Sequence, residues 1–131
     1  MGGVQALPFK VDFEWQPGAL RAHVTGVKGS IDITLAYWKA IAEEVRRLRA
    51  RTLLVVDELE GEALQAEFMP AFIEAMVGLG LEGVRIAFVE TQGGQIPHVE
   101  SAEILARERG YEVRVFANET DASLWLRYGG N

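Results

Sequence analysis

Between Thr52 and Asp57 the chain reads Thr-Leu-Leu-Val-Val-Asp, and this short run limits the possible architectures more than any other stretch. Four consecutive apolar residues, two of them β-branched, leave no polar side to turn toward water. The segment therefore reads as a strand buried on both faces. Strands of that kind lie inside mainly parallel sheets, with helices above and below. The run stops at Glu58-Leu59-Glu60-Gly61-Glu62, read as an acidic turn at the strand's carboxyl end, and a helical pattern follows it. In open α/β sheets, ligands and partners bind outside such carboxyl ends.

The flanking segments fit one sheet. Phe9, Val11, Phe13 and Trp15 alternate with Lys10, Asp12, Glu14 and Gln16. After Pro17-Gly18 the alternation resumes, with Leu20, Ala22, Val24 and Gly26 inward and Arg21, His23 and Thr25 outward. This is an antiparallel hairpin at one end of the sheet. Ser30 or Asp32 caps a helix to about Ala50, whose stripe of Ile33, Tyr37, Trp38, Ile41, Val45 and Leu48 faces the sheet. A second helix is expected from about Glu62 to Leu79, with Leu64, Phe68, Phe72, Ala75, Met76 and Leu79 inward. Met69, Ile73 and Val77 form a second apolar line beside that stripe, and Pro70 kinks the helix or restarts it. So broad an apolar surface serves as core, as a partner surface or as one wall of an apolar pocket. Val84–Val89 is a further interior strand, ending at Glu90-Thr91. A third helix is bounded by Pro97 and Gly110. Tyr111–Phe116 is a strand near an edge, and Asn118 caps a last helix docked by Ala122, Trp125, Leu126 and Tyr128. The order is ββαβαβαβα in one α/β domain over 1–131, with 1–7 as a loose arm.

Composition excludes more than it assigns. The 131 residues include no cysteine, which removes disulfides, thiolate metal sites and cysteine nucleophiles. A net charge of −6 argues against nucleic-acid binding, which needs a basic surface. The basic cluster Arg46, Arg47, Arg49 and Arg51 falls at a helix end, where cations complement the macrodipole. No apolar run approaches the roughly 18 residues of a membrane span, and no leader pattern is read, so the expectation is a cytoplasmic protein with no membrane insertion. Ser30, Ser101 and Ser123 lack the setting of a catalytic triad, and His23 and His98 lack metal-ligand spacing. Gly93-Gly94 lacks the pattern of a phosphate loop. No cofactor, metal or catalytic residue is assigned, and the chain reads as non-enzymatic. The acidic stretch Asp57, Glu58, Glu60 and Glu62 is the densest chemistry, as a helix start, a cation site or an acid–base pair.

The hairpin, the long helix, the Leu-Leu-Val-Val-Asp strand, the alternating helices and strands and a last helix carrying Ala122-Ser-Leu-Trp125-Leu126 together resemble a STAS domain. The likeness is closer to bacterial SpoIIAA-like proteins of the STAS/SEC14 type, over roughly Phe9 to Tyr128. That resemblance implies a mostly parallel mixed sheet and a regulatory module acting through protein contacts, with a homodimer as one form. Its phosphorylation switch sits on a serine after the central strand. This chain has no serine or threonine between Leu53 and Glu90, and it carries Glu60 and Glu62 at the corresponding turn. The SEC14 side of the resemblance implies instead a carrier of a small apolar ligand or lipid, its pocket between the second helix and the sheet. Under either reading the expected contact residues are Asp57, Glu58, Glu60, Glu62, Phe68, Met69, Phe72, Ile73, Met76 and Thr91.

Overall fold

The computed structural model describes residues 9–27, 31–61, 66–91 and 96–129. Strands β1 (Phe9–Gln16) and β2 (Ala19–Val27) form the hairpin, with Gly18 supplying the positive φ of 80° that the turn requires. Then follow α1 (Ile31–Leu48), β3 (Thr52–Glu60), a 3-10 turn over Ala66–Phe68 and α2 (Met69–Met76). The remainder is β4 (Arg85–Glu90), α3 (Ile96–Glu108), β5 (Glu112–Phe116) and α4 (Glu119–Tyr128). The five strands lie side by side in chain order, β1 antiparallel to β2 and every other pair parallel. β3 is the middle strand, as its unbroken apolar run demands.

Because strand side chains alternate between faces, each strand divides its residues between two cores. On one face Leu20, Ala22, Val24, Leu53, Val55, Leu59, Ile86 and Phe88 meet α1, α2 and α3. On the other, Leu54, Val56, Ala87 and Val89 meet α4 through Ala122, Trp125 and Leu126. Asn118 caps α4 as expected, its Oδ1 accepting the Asp121 N–H at 2.9 Å. Two ties bring α4 to the sheet. Arg21 on β2 donates twice to the Glu119 carboxylate, at 2.8 and 3.0 Å. Arg85 on β4 lies 4.8 Å from the Trp125 ring centre and donates to the Trp125 carbonyl at 3.2 Å.

Helix ends follow local chemistry. α1 closes through Arg49 at φ 53°, with Arg49 N–H donating to the Arg46 carbonyl and Ala50 N–H to the Val45 carbonyl. The arginine run is thus a helix terminus, and Arg47 pairs there with Glu44. At the sheet edge, Val115 N–H donates to the Glu103 carboxylate of α3 at 2.6 Å.

Four expectations need correcting. β3 does not end at Asp57 but continues to Glu60, so most of the supposed acidic turn is strand. The second helix does not run from Glu62 to Leu79. Pro70 sits in the first turn of α2, which ends at Met76, so proline restarts the helix rather than kinking it. Its inward stripe is Met69, Phe72, Ile73 and Met76, while Phe68, Ala75 and Val77 face out. Trp15 and Tyr128, expected to pack, are 40% and 73% exposed, each at the end of its element.

Candidate functional site

Asp57 and Glu58 are neighbours in sequence and occupy opposite faces of the sheet. Parity places Asp57 with Val55 and Leu59 beneath the three helices, only 3% exposed. Its Oδ1 accepts the Leu59 N–H at 2.8 Å. Glu90 obeys the same parity after Ile86 and Phe88 and is 1% exposed. The two are register partners across β3 and β4, which brings their Cα atoms to about 5 Å, the spacing of adjacent strands. Thr91 fastens this end of the sheet, donating from its hydroxyl at 3.0 Å and from its backbone N–H to the Asp57 carbonyl.

Between this face and the helices lies a cavity of about 120 Å³. Its walls are mostly apolar: Met69, Phe72, Ile73 and Met76 come from α2, and Ala102 and Ala106 from α3. Trp38 of α1 stacks on Phe88 at 6.1 Å between ring centres, and both line the cavity. Asp57 and Glu90 mark its end at the strand carboxyl termini. Tyr111, at the opposite end, donates to the Glu82 carboxylate at 3.1 Å. Burial drives the Tyr37 phenol well above its usual range. The negative charge of Asp57 adds to the rise, as does the weaker effect of Glu90, and a hydrogen bond from the Trp38 indole opposes it in part.

The ten sequence-predicted residues divide into groups. Asp57, Met69, Phe72, Ile73 and Met76 converge on the cavity. Glu58 and Glu60 lie on the opposite face and line a shallow polar groove with Thr91, while Glu58 also meets His23 across the β2–β3 pair. Phe68 is exposed at 45% and stands outside both. Glu62 lies outside the described residues. The expected acidic cluster is thus dispersed by the two-residue period of the strand. Glu90, Tyr37, Trp38 and Ala102 were missed as site residues. Glu90 had a usable signal, because it continues the inward parity of Ile86 and Phe88. Among the described residues, no group of three or more His, Asp or Glu side chains is placed to hold a metal ion, and no helix is long and apolar enough to cross a membrane.

No family model matches the chain, and no curated protein matches it. Three solved chains do. One is the crystal structure of an anti-sigma factor antagonist from Mycobacterium paratuberculosis, with a TM-score of 0.54. That likeness covers 91% of this chain and 94% of the other, at 12% sequence identity. Identity that low speaks for the fold alone.

Proposed function

Starting from a chain that has the STAS, or SpoIIAA-like, fold, we propose a non-enzymatic regulatory module that acts through contact with a protein partner or a second copy of itself. The observation that carries this reading is the outward side of the α2 segment. Phe68 and Val77 are 45% and 49% exposed at its two ends, with Pro70, Ala71 and Ala75 exposed between them. Exposed apolar side chains on one element, here with the charged Glu74 among them, are what a protein interface buries. The chain carries no serine or threonine from Leu53 to Glu90, so a phosphorylation switch in the segment after β3 has no acceptor. The contact is then constitutive or controlled in another way. Native mass spectrometry and quantitative co-purification, comparing wild type with Phe68→Glu, test the reading. A dimer or a defined interactor that the substitution weakens at least tenfold is the expected result. Identical assembly by both proteins would overturn it.

A second reading, the carrier of a small apolar molecule, has its own support in the cavity beneath α2. At about 120 Å³ it is well below the roughly 300 Å³ at which drug-sized sites begin. It favours a compact occupant over an acyl lipid.

A further inference from the structure

We infer that the cavity beneath α2 binds a compact, ring-sized apolar molecule carrying one hydrogen-bond-donating head, a hydroxyl or an amine, set against Asp57 and Glu90. The inference rests on the carrier reading and specifies its ligand.

Size comes first. An apolar cavity of about 150 Å³ in an engineered protein core stays dry and takes up benzene. The present cavity, at about 120 Å³, is of similar size but is not sealed, and its inner space holds about one ring. Its walls suit such a guest. Trp38 and Phe88 give a stacked aromatic side, and α2 adds the aromatic ring of Phe72, the aliphatic Ile73 and the thioether of Met76.

Polarity comes second: Thr34, Glu103 and Tyr111 also reach the lining, but the two carboxyl groups of the strand ends stand together at one end. Asp57 and Glu90 meet as register partners at one end, both almost wholly buried. Carboxyl oxygens accept, and each group has more than one acceptor position, so a donor on the guest can add to the bonds already there. Burial is the main cause of the raised Tyr37 phenol pKa and the charge of Asp57 adds to it; the same charge disfavours an anionic head. Fatty acids and aromatic acids are disfavoured by the charge of Asp57.

The experiment is a residue-resolved NMR titration of the full chain with four probes of nearly equal size: toluene, phenol, benzylamine and benzoate. The expected result is that phenol or benzylamine binds about tenfold tighter than toluene, the increment of one hydrogen bond to a charged acceptor. Benzoate does not bind, and the shifts centre on Phe72, Ile73, Met76 and Ala102. Ala102→Leu, which fills the space, abolishes binding. Should that variant fail to fold, Asp57→Asn removes the charge at constant size, and the preference for phenol over toluene then falls below about threefold. If toluene binds as tightly as the donor probes, or benzoate binds best, the head-group inference is overturned while the carrier reading survives. If no probe binds the wild type, both fall.

Discussion

The two faces of the sheet are built from the same strands and are packed differently. The face beneath α1, α2 and α3 holds the larger core, two buried carboxylates and a cavity of about 120 Å³. The face beneath α4 holds a small core of Leu54, Val56, Ala87, Val89 and Ala122, with arginines bonded to carboxylates and to a helix carbonyl at its rim. Beneath α2 and α3 the side chains leave an apolar space against the sheet, whereas a cleft beside α4 is lined largely by polar and charged side chains at its rim. Where space is left over, a fold can take a guest; where ion pairs ring a small core, it has a clasp.

That contrast yields tests in descending size. Trp125→Ala should have the largest effect, because α4 is anchored by few large side chains. A fully buried tryptophan costs roughly 3–5 kcal/mol to truncate, and this half-buried one should cost about 2–3 kcal/mol by urea denaturation. Ala122→Leu, fully buried against the sheet, should cost roughly 1–3 kcal/mol through overpacking. The same enlargement at Ala102, which borders the cavity, should change stability by less than about 0.5 kcal/mol, since the added methyl groups have space to occupy. Equal costs at the two alanines would erase the distinction between the faces.

A further small effect concerns the clasp. Arg21 holds the Glu119 carboxyl below its ordinary value of 4.5 by bonding to the charged form. A folded-state pKa below the unfolded one gives stability that is present above about pH 4.5 and is lost as pH falls through the folded value. With Glu119 partly exposed, solvent screening limits the pair to about 0.2–1 kcal/mol. Arg21→Gln should therefore be slightly less stable than wild type near pH 7, and the difference should shrink below pH 4.5 in parallel denaturation curves. A difference that grew toward acid would refute the assignment.

Element order was readable from the chain because hydrophobic period and turn residues agree along its length. Leu53 and Val55 against Leu54 and Val56 already imply helices on both faces. Where the reading failed, charge was taken for surface. Asp57 and Glu90 looked like turn residues, yet backbone pairing carries both strands through them and parity turns their side chains inward. The stripe of α2 was misphased for a related reason. A helix counted from Glu62 sets one angular frame, whereas a helix restarted at Pro70 sets another, which brings Met69 and Ile73 in and turns Phe68 out. The cavity had no sequence signal. A pattern shows which side chains point inward, but not whether their volumes meet.

The bond from Val115 to Glu103 bears on how copies of this chain can join. A strand at the rim of a sheet offers backbone donors to any other strand that arrives. At β5 the Glu103 carboxylate already occupies the Val115 donor, in the place a neighbouring strand would use. Polymerisation by repeated strand addition needs a sticky rim at both ends of each unit, and here one rim carries its own stopper. Growth into a ribbon is hindered at that donor, whereas a closed pair formed through β1 or through helix surfaces is compatible with the fold.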